Sequence, residues 1–173
     1  MATCGIDPGK KGGICIIDGS PEFYPMPICK TGKGSKTEMD LPRLNGIFTD
    51  LQLRFYQLNF LVILEKQQAY PNQGAVSNFT TGGGFWALRA MLVAHDLPHV
   101  IITPQTWQKA VGIVRGPDND TKKQSVAIAE RMFPGVDLRA TSRCTTKSDG
   151  LSDALLMAIY GRQIMGDPKG GTY

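Results

Sequence analysis

The spacing of apolar positions changes several times along the chain, and each change marks an element. Thr3 to Asp7 and Gly13 to Asp18 are two short apolar runs separated by PGKKG, which predicts an antiparallel hairpin. Phe23 to Cys29 extends it to a three-strand meander, with Pro25 and Pro27 placing this third run at an edge or leaving it partly irregular. Lys30 to Lys36, KTGKGSK, reads as a mobile loop. From Asp40 the period becomes helical: Leu41, Leu44, Ile47, Phe48, Leu51 and Phe55 share a face, with Asp40 as N-cap and Pro42 in the first turn. Phe60 to Leu64 is continuously apolar, as in a strand buried on both faces, and ends in Glu65.

The following stretch, KQQAYPNQGAVSNFTTGGGF, shows no clean period and predicts a long irregular segment, which compact domains keep mainly for function. A helix resumes at Phe85 with Leu88, Met91, Leu92 and His95 on one side, then a strand at His99 to Thr103 and a short helix from Pro104. RGPDNDTKK is a polar loop leading into the helix TKKQSVAIAERMF, and KSDGLSDALLMAIYG is the last helix. The order β-β-β-α-β-α-β-α-α defines an α/β chain, and 173 residues fit one domain spanning 1–173.

Composition narrows the function only slightly. A net charge of +4 favours an anionic partner without specifying one. Cys4, Cys15, Cys29 and Cys144 form no C-x-x-C pair and read as reduced thiols, and no apolar run reaches the roughly 20 residues of a membrane helix. The expected location is cytoplasmic, in a bacterium or a phage-infected cell, with no membrane partner.

The acids carry more information. Asp7 interrupts an apolar strand, and Glu65 ends another at the C-terminal edge where ligands of open α/β sheets collect. Asp149 and Asp153 lie four apart near the start of the last helix, on one face. Asp149 alone could be a helix cap, but Asp153 opens the apolar run ALLMAIY, where a carboxylate without a partner costs several kcal/mol. If these elements adjoin, four oxygen ligands without histidine or cysteine select Mg2+ or Mn2+. Two such ions would suit in-line displacement at phosphorus, hence phosphodiester hydrolysis.

Several residues could meet nucleic acid around that centre. Lys122 and Lys123 occupy a helix first turn, where the dipole does not favour cations, so an external anion or simple solvation accounts for them. Lys109 is a further phosphate contact, and Lys10 and Lys11 lie in the first turn of the chain. Tyr70 and Phe79 would stack on or wedge between bases, or else pin their loop to the core. Gly82 to Gly84 fit neither phosphate-loop spacing and instead permit close backbone approach to DNA or a neighbouring helix. Trp107 reads as core.

GIDPGKKGG, LEKQQAY, NQGAVSNFTTGGGFWAL, TPQTWQKAVG and KSDGLSDALLMAIYG, in this order, resemble the RuvC group of Holliday-junction resolvases, especially its phage-type members, within the ribonuclease H-like fold. The resemblance implies a mixed five-stranded sheet, three strands antiparallel and two parallel, flanked by helices. It also implies a homodimeric endonuclease that nicks four-way junctions symmetrically, with 5′-phosphate and 3′-hydroxyl products. Asp7 would bridge two ions, Glu65 and Asp153 would complete the ligation, and Asp149 would be the fourth acid. The chain departs from many relatives in placing Gly150 at the three-residue offset from Asp153, and in carrying Trp107 where some bacterial members have a basic residue. A less selective nuclease on branches or RNA–DNA hybrids, an actin-like ATP-binding module and a non-catalytic junction-binding protein are the competing readings.

Overall fold

Why the acids meet follows from the sheet and the helix laid across it. The computed structural model describes residues 1–32 and 36–166. β1 (Ala2–Asp7), β2 (Gly13–Asp18) and β3 (Ser20–Pro25) form the expected antiparallel meander. The third strand is shorter and earlier than Phe23 to Cys29, because Pro25 and Pro27 interrupt the ladder. The chain then makes a separate small hairpin, β4 (Ile28–Lys30) with β5 (Thr37–Met39). The ends of the expected mobile loop therefore belong to a hairpin, and its centre, 33–35, lies outside the described residues.

α1 (Leu41–Arg54) starts as expected, with the Asp40 carboxylate accepting a hydrogen bond from the Arg43 N–H at 3.1 Å. β6 (Phe60–Glu65) follows and pairs parallel with β1. α2 (Ala75–Ala94) comes next and corrects the expectation of a long irregular segment ending at Phe85. Asn78, Phe79 and Gly82 to Gly84 are helical; three glycines cost the helix about 1 kcal/mol each, but Phe85, Leu88 and Leu92 bury its second half in the core. Of these glycines only Gly84 is crowded: a Cβ there would lie 2.7 Å from Met39 Cε of β5.

β7 (His99–Ile102), α3 (Pro104–Ala110), α4 (Thr121–Met132) and α5 (Asp149–Ile164) complete the chain. The central sheet has the order β3-β2-β1-β6-β7, with three antiparallel and two parallel strands. Strand alternation sends Ala2, Cys4 and Ile6 of β1 and Phe60, Val62 and Leu64 of β6 into a core with α1 and α2. The opposite face takes α5, whose Ala154, Leu155 and Ala158 join Ile63 and Trp107 in a second core.

α5 lies unusually close to β1. A Cβ at Gly5 would fall 2.0 Å from the Ala154 carbonyl oxygen and 2.6 Å from the Ala158 nitrogen, so only glycine fits under the helix. At the helix start the contact is reciprocal, since a Cβ on Gly150 would lie 2.3 Å from the Lys11 carbonyl oxygen and 2.5 Å from Gly12 Cα. The turn after β1 is thus pressed against the first turn of α5.

Candidate active site

This packing brings the ends of β1, β6 and α5 together. Asp7 and Glu65 each follow the last paired residues Ile6 and Leu64, so they sit side by side at the ends of parallel strands on the α5 face. The Gly9 N–H donates to Asp7 Oδ1 at 3.1 Å, and a Cβ on Gly12 would lie 2.8 Å from Asp7 Oδ2. The glycines of DPGKKGG therefore shape space around the carboxylate. Lys10 turns to the Thr37 carbonyl on the small hairpin, while Lys11 is exposed.

Glu65 is held through both oxygens. The Trp107 indole N–H donates to Oε1 at 2.9 Å, and the Gln67 amide donates to Oε2 at 3.1 Å. Trp107 is fully buried, as expected of core, but its polar edge points at the acid. Lys109, two residues on, is exposed.

α4 supplies contacts for the acids of α5. Buried Ser125 donates to Asp153 and makes a 3.0 Å hydrogen bond to Ser152. Lys122 Nζ lies 2.5 Å from Asp149 Oδ2, and Lys123 makes a longer 3.7 Å pair with Asp120. Asp120 caps α4 by accepting from the N–H groups of Lys122 and Lys123, so the lysines in this first turn already have internal anions. Asp149 is not the cap of α5; Ser148 is, its hydroxyl accepting from the Leu151 N–H at 3.3 Å.

Electrostatics separates the four acids. Burial raises the Asp7 carboxyl above its ordinary range, and Asp149 adds to this, against the Gly9 N–H and Lys122. Burial together with the Asp7 charge pushes Glu65 up to about 7, despite the hydrogen bonds from Trp107 and Gln67. Asp153 also rises to about 7, through burial and the charges of Asp7, Glu65 and Asp149, opposed by Ser125. For Asp149 burial acts upward too, but the hydrogen bond and charge of Lys122 outweigh it and leave the group lowered. Three desolvated carboxyls thus repel one another, and the fourth has a lysine partner. Among the described residues no three histidine, cysteine or acidic side chains stand close enough together to enclose an ion as placed.

A pH dependence follows. Glu65 and Asp153 have folded-state pKa values near 7, above those of an unfolded chain, so between about pH 4.5 and 7 the folded protein binds more protons. Stability of the cation-free protein is expected to fall across that window, on the order of 3 kcal/mol for each acid, as both are forced to ionise. Thermal unfolding from about pH 5 to 8 in EDTA checks this; a flat or rising profile would contradict it.

Tyr70 lies in the loop after β6 and is partly exposed, its backbone held by Asn78. Phe79 is 82% exposed on α2, so it does not pin a loop to the core. Sequence reasoning passed over Ser125, Gln67, Ser148 and the indole edge of Trp107. Only Ser148, preceding an apolar helix as S-D-G-L, carried a recognisable capping signal.

No protein-family model and no curated protein matches the chain. Solved structures do, and they define its class: the molecule has the ribonuclease H-like fold of RuvC. Thermus thermophilus RuvC in complex with a Holliday junction substrate aligns with a TM-score of 0.59 at 16% identity, covering 96% of this chain and 97% of that one. A second Thermus thermophilus RuvC structure gives 0.53 at 18% identity, covering 96% and 98%. A yeast mitochondrial Holliday junction resolvase is more distant, at 0.43 and 14% identity, covering 90% of this chain and 75% of that one.

Proposed function

We propose that residues 1–173 form a single nuclease domain that resolves four-way DNA junctions by metal-dependent hydrolysis. The observation that carries this reading is the convergence of Asp7, Glu65 and Asp153 from β1, β6 and α5 on one face of a RuvC-like sheet. The donor set fits hard divalent cations: its ligands are carboxylate oxygens, three of them desolvated and mutually repelling. Asp7, Glu65 and Asp153 would hold two Mg2+ or Mn2+ ions, with Asp149 as a fourth acid that must first release Lys122. When bound, such ions supply Lewis acidity toward a phosphodiester and a source of hydroxide near neutral pH. The protein's own part is to present fixed carboxylates at the strand ends and to exclude bulk water by the packing of α5. The products of this reading are 5′-phosphate and 3′-hydroxyl ends.

Lys122 and Lys123 are exposed at the same rim, well placed for backbone phosphates, with Lys10, Lys11 and Lys109 as further candidates. Replacing Lys122 and Lys123 by Ala is expected to weaken junction binding and to flatten its salt dependence by about one unit of log–log slope per lysine. An unchanged slope in a filter-binding titration would remove them from the interface. Tyr70 and Phe79 are offered as base-contacting rings.

A homodimer is the assembly we propose, and α2 supports it. The helix is apolar on two sides: beyond the buried Phe85, Leu88 and Leu92, its outer positions Val76, Phe79, Gly83, Trp86, Ala90 and Val93 are exposed and follow a three-four spacing. A helix with a second, exposed apolar stripe has room for a second partner, and this spacing suits an identical helix related by a two-fold axis. Trp86→Glu is expected to turn a dimer into a monomer in sedimentation equilibrium; a dimer unaffected by it would place the interface elsewhere.

The function itself is tested by cleavage of a four-way junction, a Y-fork, an RNA–DNA hybrid and a linear duplex with Mg2+ or Mn2+. Preference for the junction is expected. Equal cutting of all branched substrates would support the broader nuclease, and tight junction binding without cutting would support a non-catalytic binder. The four cysteines are free among the described residues, which suits a reducing cytoplasm in a bacterial or phage-infected cell.

A further inference from the structure

We infer that Trp107 is a positioning residue for metal ligation by Glu65, acting through its indole N–H; this rests on the nuclease reading above. Trp107 is fully buried on α3, within the core that also holds Ile102, Ile113 and Leu155. A phenylalanine would supply most of that apolar volume. What only tryptophan adds is the donor that reaches Glu65 Oε1 at 2.9 Å.

The consequence is a fixed carboxylate. Glu65 has three rotatable side-chain bonds, and an acid at a strand end has little to hold it. Here one oxygen is held by the indole and the other by Gln67 at 3.1 Å, so the plane of the carboxylate is set. The two holders differ in rigidity, since Trp107 is locked in the core whereas Gln67 is only partly buried, in the loop after β6. Each carboxylate oxygen accepts more than one partner, so one lone pair per oxygen stays available to a cation. Donors behind a ligand fix its direction, and their removal typically weakens metal binding by roughly ten- to a hundredfold. Without the indole N–H, Gln67 alone would let the carboxylate swing, and part of the binding free energy would go into ordering it.

The test uses the full-length protein with Mn2+ as probe. Calorimetry should show that Trp107→Phe binds Mn2+ about tenfold or more weakly than wild type. In junction cleavage, the Mn2+ concentration for half-maximal rate should rise in parallel, with KM for the junction unchanged, and excess Mn2+ should restore the rate. A purely structural role predicts a lower Tm with unchanged metal affinity, and that result overturns the inference. Should Trp107→Phe fail to fold, the wild-type protein still decides the matter. Its Trp107 indole 15N–H resonance, assigned by its retention in Trp86→Phe, should shift on titration with diamagnetic Mg2+, and should not shift in Glu65→Gln. A resonance that stays still while calorimetry registers Mg2+ binding overturns the inference alone. If wild type binds neither ion, the metal-nuclease reading fails and takes the inference with it.

Discussion

Asp7→Asn is expected to give a folded protein that cleaves four-way junctions at least about a thousandfold more slowly than wild type, a loss of about 4 kcal/mol in transition-state stabilisation. The substitution preserves shape. Asn keeps an oxygen to accept the Gly9 N–H, and it adds no bulk against Gly12, which crowds the Asp7 carboxylate. What disappears is the charge at the centre of the cluster, felt by both Glu65 and Asp153. Removing it also relieves repulsion, so at about pH 8 without divalent cation the variant should melt no lower than wild type. Single-turnover cleavage and thermal unfolding, measured on the same preparation, separate the two effects. Wild-type cleavage by Asp7→Asn would remove this acid from the chemistry; a marked drop in Tm would make its role structural.

The second large effect concerns the packing that assembles the site. Gly5→Ala is expected to destabilise the protein by more than about 3 kcal/mol, because the new Cβ meets backbone atoms of α5 that no rotamer change can move. Either α5 lifts from β1, separating Asp153 from Asp7, or the chain fails to fold. Gly46→Ala is the matched control: it lies in the exposed interior of α1 with nothing within 4 Å of an added Cβ. That change should stabilise the protein by about 0.5–1 kcal/mol through helix propensity. Urea denaturation of the two variants beside wild type gives both values, and equal stabilities would contradict the close contact between α5 and β1.

The sheet was legible because its signals are local: a turn between two apolar runs, and FLVIL as a strand buried on both faces. The positions of Asp7 and Glu65 were legible for the same reason, since strand alternation and a strand end can be counted. The second half of α2, from Phe85, was legible too, but its first half was not, because Gly82 to Gly84 break the apolar period and the burial that holds the helix comes from tertiary contacts of Phe85, Leu88 and Leu92. Gly150 looked like a departure from the spacing of related acids. In the fold it is the position where α5 touches Lys11 and Gly12, which leaves no room for a side chain. Lys122 showed the limit of charge reasoning: a cation in a helix first turn left an external anion or simple solvation open, and the nearest anion is Asp149, 27 residues away in sequence. No local pattern reveals that pair, nor the hydrogen bonds of Trp107 and Ser125 to the acids, because each depends on how α3 and α4 dock.

The most direct measurement is cleavage of a four-way junction labelled in turn on each strand, with Mg2+ or Mn2+ and with EDTA, followed by mapping of the nicks. The metal-site account predicts paired nicks at symmetry-related positions on two opposing strands, each with a 5′-phosphate, dependent on the divalent cation and lost in Asp7→Asn. Intact junctions in the presence of either ion, or cutting that persists equally in EDTA or in Asp7→Asn, would contradict it.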